Sequence, residues 1–143
     1  MNTSDIVAAI EARLAARAPN VNTYVGAVPE DLPSDSTQRA YPYAVIWGTA
    51  GMSDQDAEDL SGDTAGASTS ETHITVASGD PAWTLEAAGV VRAALDHWIP
   101  LPTMERLRDS QTWAPVVLDT EVLPNRWFVL LVFRAGYIYE RQT

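Results

Sequence analysis

The stretch from Thr72 to Trp98 constrains the fold most. Ile74 and Val76 alternate with Thr75 and Ala77, the period of a strand buried on one face. Gly79-Asp80-Pro81 breaks that strand, with Asp80 placed to cap a helix and Pro81 in its first turn. Trp83, Ala87, Val90, Val91, Ala94 and Trp98 then recur at three-, four- and seven-residue intervals. They form one apolar stripe on a helix of about five turns. A strand feeding a helix through so short a turn calls for a sheet with a helical layer on it. No reactive side chain sits at the junction, so the segment reads as scaffold.

A chain of 143 residues is expected to form one domain with a single core. It contains no cysteine, which excludes disulfides, a thiolate nucleophile and a cysteine-based zinc site. The longest apolar run, Trp127 to Phe133, has the length of a strand and not of a membrane span. Met1-Asn2-Thr3-Ser4-Asp5 lacks the basic start of a signal peptide, so a soluble product of the cytoplasm is expected. The net charge is −10, and all nine basic residues are arginines scattered from Arg13 to Arg141. That distribution argues against a grip on phosphates, which needs a clustered positive patch.

The first helix is expected from Ser4 to Arg17, with Ile6, Ile10 and Leu14 four apart and Val7 beside them. Asp5 and Arg17 stand at the ends that the helix dipole favours, and Ala18-Pro19-Asn20 stops it. A strand from Thr23 to Val28 follows, then a turn-rich loop from Pro29 to Arg39. Tyr41 to Thr49 reads as a strand with Tyr43, Val45 and Trp47 on one face. Residues 51–67 hold Asp54, Asp56, Glu58, Asp59 and Asp63 without an apolar period, the composition of a mobile acidic loop. Between Pro100 and Ser110 the pattern is mixed, and Thr103 is placed to cap a short helical turn through Leu107. Trp113 to Leu123 alternates again, with Pro115 marking an edge strand. Pro124-Asn125 then connects it to a last strand, Arg126 to Glu140.

That last strand is apolar on both sides. Trp127, Val129, Leu131, Phe133, Tyr137 and Tyr139 form one face, and Phe128, Leu130 and Val132 the other. Two helices cover one face. The second needs a neighbouring subunit, the loop Pro29–Arg39 or the segment Ile99–Ser110. Full burial of each such side chain is worth about 1.5–3 kcal/mol. Phe128, Leu130 and Val132, with Trp113 beside them, are therefore the candidate subunit interface. The fold expected is α+β, a mainly antiparallel sheet of four to five strands packed against two main helices.

Catalytic residues are not apparent. His73 lies on the strand face opposite Ile74, and His97 ends a helix, where the dipole favours it. Neither has a triad partner at a telling spacing, and no nucleophile elbow, phosphate-cradling loop or His-Glu-x-x-His occurs. Asp54-x-Asp56-x-Glu58 imitates the start of a calcium loop. The position that needs glycine is Asp59, and the closing position is Ala65. The chain is expected to be no enzyme and to need neither metal nor cofactor.

The chain also resembles the tail terminator (tail completion, or head–tail joining) proteins of long non-contractile-tailed bacteriophages. The likeness is carried by Ile6 to Leu14, Tyr24-Val25-Gly26-Ala27-Val28-Pro29, Ala40-Tyr41-Pro42-Tyr43-Ala44-Val45-Ile46, His73-Ile74-Thr75-Val76 and Glu86 to Leu95. It covers most of the chain as a pattern of elements and contains no single diagnostic residue. The resemblance implies a single structural domain over 1–143, located at the head-proximal end of the virion tail. Its copies would form a ring, expected to be hexameric, that caps the major tail tube protein and docks the head connector. Double-stranded DNA would pass through the ring without specific binding, and no membrane would be involved. An acidic loop at Asp54, Asp56, Glu58, Asp59 and Asp63 would suit the channel or tube side, because like charge repels phosphate. Two alternatives are a head-completion or neck protein of the same junction and a non-viral protein-interaction module.

Overall fold

The computed structural model describes residues 3–48, 52–53, 68–109, 115–122 and 124–137. The first helix, α1, spans Thr3–Arg17, with Asp5 in its first turn and Arg17 in its last. Its apolar stripe is buried outright: Ile6, Ile10 and Leu14 are fully shielded from water. The chain turns at Ala18, whose N–H donates to the Leu14 carbonyl, and enters strand β1, Asn22–Val25. Gly26, at φ 73°, ends that strand in a conformation glycine adopts without strain.

Strand β2, Tyr43–Gly48, lies beside β1 in parallel. The sheet is therefore mixed, this parallel pair standing beside antiparallel ones, which is roughly consistent with the mainly antiparallel sheet expected. Parallel neighbours need a crossover, and residues 26–42 supply one that contains no helix. Strand β3, Met52–Ser53, and strand β4, Ser68–Ser78, pair antiparallel. Helix α2 follows, Pro81–Leu95. Strands β5, Arg108–Asp109, and β6, Val117–Asp119, are short, and β7, Arg126–Gly136, is long.

The centre of the sheet is the antiparallel ladder of β4 with β7, running from Thr69↔Gly136 to Ser78↔Trp127. β2 pairs with the free edge of β4, and β3 continues that row. β5 and β6 share the free edge of β7. The described strands thus make five rows, β1, β2 with β3, β4, β7, and β5 with β6. The α+β class is as expected, while the seven described strands in these rows exceed the four to five strands expected.

The period of two along β4 and β7 fixes what lies inside. Ile74, Val76, Val129, Leu131 and Phe133 turn to the helices and pack with Ile6, Ile10, Leu14, Val91 and Leu95, all at most 1% exposed. Leu131 and its neighbour Leu130 therefore sit on opposite faces of one strand. Contacts between the helices run in opposite order. Arg13 Nε donates to the Ala94 carbonyl at 2.9 Å, while Arg17 and Ala18 lie by Ala87 and Trp83, so α1 and α2 are antiparallel.

The strand–turn–helix forms as the sequence indicates. Asp80 takes an extended conformation, and its Oδ1 accepts from the Ala82 and Trp83 amides at 2.8 and 3.3 Å. The Ser78 and Thr84 hydroxyls lie 2.7 Å apart, both buried, and the Thr84 hydroxyl donates to the Trp127 carbonyl at 3.1 Å. Polar groups so enclosed are tolerable because they are bonded, and here they tie β4, α2 and β7 together. Gly79 is obligatory for another reason. A Cβ there would lie 2.7 Å from Arg39 Cα and 2.8 Å from Ala40 N, because the crossover passes directly against the turn. The Gly79 amide donates to the Ala40 carbonyl at 2.9 Å.

Several local expectations fail. α2 stops at Leu95, not Trp98; His97 turns the chain at φ 65°, and Trp98 folds back with its N–H on the Leu95 carbonyl. No helical turn forms over Thr103–Leu107. Its amides are taken by distant carbonyls instead, Glu105 donating to Gly136 and Leu107 to Trp98, while Met104 and Leu107 plug the core. The expected strand Trp113–Leu123 is reduced to Val117–Asp119 among the described residues, and six residues, 120–125, connect it to β7. The last strand ends at Gly136, with Tyr137 in an isolated bridge to Met104. Residues 138–140, 110–114 and 54–67 lie outside the described residues.

Leu131→Ala is expected to cost about 2–5 kcal/mol in urea unfolding, the range for a large-to-small change in a closed core. Leu130→Ala, on the opposite face, is expected to cost about 1 kcal/mol or less. Equal costs would contradict the face assignment. Gly79→Ala is expected to lower stability by about 1–3 kcal/mol, since the crossover backbone must yield to the added methyl.

Candidate functional site

The face of the sheet away from the helices is half covered. Register aligns Trp47, His73 and Val132 in one row, then Val45, Thr75 and Leu130, then Tyr43, Ala77, Phe128 and Val117. The crossover lies over the third row and part of the second. Leu32 and Ala40 pack there with Tyr43, Val45, Ala77 and Phe128, and Tyr24 of β1 closes the side. Of the two intramolecular covers the sequence allows, the Pro29–Arg39 loop is therefore used. Its reach decides which of the candidate interface residues meet water.

Phe128 is half-buried beneath the crossover. Val132 is 6% exposed, which leaves it little apolar area to offer a partner. Leu130 is 37% exposed and Trp47 38%, the two separated on this face by His73 and Thr75 of β4. The Trp47 indole N–H donates to the Thr75 hydroxyl at 3.1 Å, fixing the ring across the open rows. Trp113 lies outside the described residues, as do Asp54, Asp56, Glu58, Asp59 and Asp63.

Polar side chains run through and beside the open half. Glu71, His73 and Arg134 stand on the same face, because 71 and 73 are two apart on β4 and Glu71 opposes Arg134. Glu71 Oε1 is 2.6 Å from His73 Nε2, and Arg134 Nε donates to Glu71 Oε2 at 2.7 Å. The bond from His73 holds the Glu71 carboxyl below its usual pKa; removal from water works against this, and Arg134 reinforces it. Sequence reading places His73 on this face but misses its partner, although the spacing of two was visible.

A second feature was not anticipated. A groove of about 410 Å³ opens between the end of α1 and the first half of α2. Pro19, Val21, Tyr41, Pro42, Trp83 and Val90 supply its apolar walls, with Arg17 and Glu86 also lining it. Tyr41 stacks on Trp83 with centroids 6.1 Å apart and planes 20° from parallel. The Arg39 guanidinium stands 4.5 Å from the Trp83 ring centre. Trp83, which its stripe allows as a core residue or an interface anchor, is thus half-buried at the groove.

Asp35 holds this arrangement. Its carboxylate accepts from the amides of Thr37 and Arg39, from the Thr37 hydroxyl and from Arg39 Nε at 2.9 Å. Arg39 also reaches Asp80 Oδ2 at 3.3 Å, linking the crossover to the cap of α2. Loss of hydration opposes ionisation of Asp35, but the bonds from Arg39 and Thr37 outweigh it and lower its pKa from 3.8 to about 2.

Neither this groove nor a smaller cavity of about 260 Å³, which Leu32, Gln38 and Arg126 help to line, includes a histidine. Among the described residues, no three of His, Asp and Glu converge as metal ligands. What the described surfaces offer is contact: an open sheet face carrying Trp47 and Leu130 among polar side chains, and an aromatic groove on the helical side. No protein-family model matches the chain, and no curated protein matches it. No described helix is long and apolar enough to cross a membrane.

Because the folded-state pKa of Asp35 is depressed, its stabilising contribution is present above pH 3.8 and lost as pH falls through about 2. The stability gap between the wild type and Asp35→Asn is therefore expected to hold steady above pH 4 and to close between about pH 4 and pH 2. Trp83 fluorescence should report release of Arg39 over the same window. A gap independent of pH would contradict the role given to Asp35.

Proposed function

We propose that this protein is a structural subunit that assembles as a ring on the finished tail tube of a long non-contractile-tailed bacteriophage. There it stops tube polymerisation and offers the docking surface to the head connector. What supports this is the sequence pattern together with one observation, a sheet face that its own crossover covers only in part. Leu130 and Trp47 are the exposed large apolar side chains of the uncovered half, with His73 and Thr75 between them and Glu71 and Arg134 in the row beyond. Exposed aromatic and aliphatic side chains with polar ones beside them are the usual parts of a protein–protein contact.

The magnitudes set how such a ring would assemble. With just over a third of each side chain exposed, completing the burial of Leu130 or Trp47 is worth about 0.5–1 kcal/mol apiece. One contact of that size does not overcome the entropy of association. A tube end that holds neighbours in place removes much of that cost. The subunit is thus a weak self-associator in solution and a ring on its template. The mechanism is templated binding, in which one side of the ring matches the tube and the other offers no surface for a further tube ring. Asp54, Asp56, Glu58, Asp59 and Asp63 would face the channel or the tube.

Leu130→Asp is the decisive variant. Its circular dichroism and melting temperature are expected to match the wild type, while tube capping is lost and overlong tails without heads accumulate. Normal tails from a folded Leu130→Asp protein would remove the interface from the proposal. Headless tails of normal length on deletion of the protein would instead favour a head-completion role. Replacing the five acids by amides is expected to impair DNA delivery, and unimpaired delivery would rule out their placement.

A further inference from the structure

We infer that residues 27–41 of the crossover form a strap that opens as a unit, with Arg39 as its latch, and that the closed strap hides apolar surface continuous with Leu130. The strap is anchored at both ends. Gly26 donates to the Ile46 carbonyl at 3.0 Å, and the Pro42 carbonyl accepts from the Asn22 amide at 3.2 Å. From Ala27 to Gln38, no hydrogen bond or ion pair of the described residues reaches another element. Leu32 is the one residue of that span in the outer apolar cluster, and all the others but Asp35 are exposed. The cavity of about 260 Å³ lies between Leu32 and Gln38 of the strap and Pro124, Asn125 and Arg126. A segment with so few buried apolar contacts opens locally at low cost.

The tip of the strap is folded by its own bonds. The Asp35 amide donates to the Arg39 carbonyl and the Tyr41 amide to that of Pro33, both at 2.9 Å. The Asp35 carboxylate accepts from the amides of Thr37 and Arg39. These bonds hold Gln38 at φ 67°, so the tip keeps its shape as it lifts. Its fastenings to the body are all at residues 39–41. Arg39 reaches Asp80 Oδ2 at 3.3 Å and stands 4.5 Å from the Trp83 ring centre, Tyr41 stacks on the same ring, and the Ala40 carbonyl accepts from Gly79.

Closed, the strap shields Val45 and Ala77, 0% and 2% exposed, on the outer face. Val45 stands two along β2 from Trp47, and Phe128 two along β7 from Leu130, with Ala77 beside them on β4. Lifting the strap joins these side chains into one apolar surface. The bearing on assembly rests on the ring reading above: a partner at Leu130 meets more apolar area when the strap is open. The opening itself is a property of the single chain.

The chain has no cysteine, so one introduced thiol reports the opening. Ala77→Cys places it under the strap, and Ala44→Cys, equally shielded, places it in the core on the helical face. Labelling by a thiol reagent in native buffer is expected to be about tenfold or more faster for Ala77→Cys. Adding Arg39→Ala should raise that rate about tenfold further and leave the Ala44→Cys rate unchanged, with Arg39→Lys in between. In the wild type, the Gly79 amide should exchange hydrogen faster than the amides of the β4–β7 ladder by a similar factor. Equal labelling at the two sites, an Arg39→Ala effect shared by both, or Gly79 exchange no faster than the ladder would overturn the strap. Tube capping by the wild type is scored in parallel. Capping with equal labelling removes the strap alone, and unequal labelling without capping removes the ring reading alone.

Discussion

The ladder between β4 and β7 is the interaction on which the remaining structure depends. Every other row of the sheet attaches to one of its two free edges, β1 by way of β2, and both helices lie on its inner face. Its strands also hold the residues that face outward, so one set of backbone bonds positions the core and the open patch together. The Ser78–Thr84 hydroxyl pair anchors the end of this ladder to the first turn of α2. The register of the sheet and the placement of the helix are thereby fixed at one point.

The crossover from β1 to β2 is the second determinant. Parallel pairing forces the chain to travel the length of the sheet before it can pair again, and here it returns across the outer face. Its path is fixed by contacts made with other elements: Gly79, which admits the Arg39–Ala40 backbone, and Asp80, which pairs with Arg39. The same arginine stands on Trp83. The loop therefore completes two surfaces, covering half of one and forming a wall of the other through Tyr41.

Local signals carried through to the structure wherever period and capping were strong. The α1 stripe, the alternation of Ile74 and Val76, the Asp80 cap and the opposite faces of Leu130 and Leu131 were all legible, because each is decided within a few residues. What was not legible depends on partners far along the chain. Parallel pairing of β1 with β2 leaves no mark on either strand. Thr103–Leu107 has spacing compatible with a helical turn, yet its amides find Gly136 and Trp98. Trp83 belongs to the apolar stripe by spacing, and only the arrival of Arg39 and Tyr41 makes it a groove residue. The two-sided character of Phe128, Leu130 and Val132 was evident, but the division of labour among them was not. It depends on how far the crossover reaches.

The edges of the sheet lead to a different conclusion about association. Among the described residues, β1 offers four on one side, and the other side has two in β5 and three in β6. Runs so brief provide few consecutive backbone bonds to an incoming strand, so end-on sheet growth of the kind that seeds fibrils gains little here. Copies crowded at high concentration would be steered away from intermolecular β-pairing and towards docking through side chains.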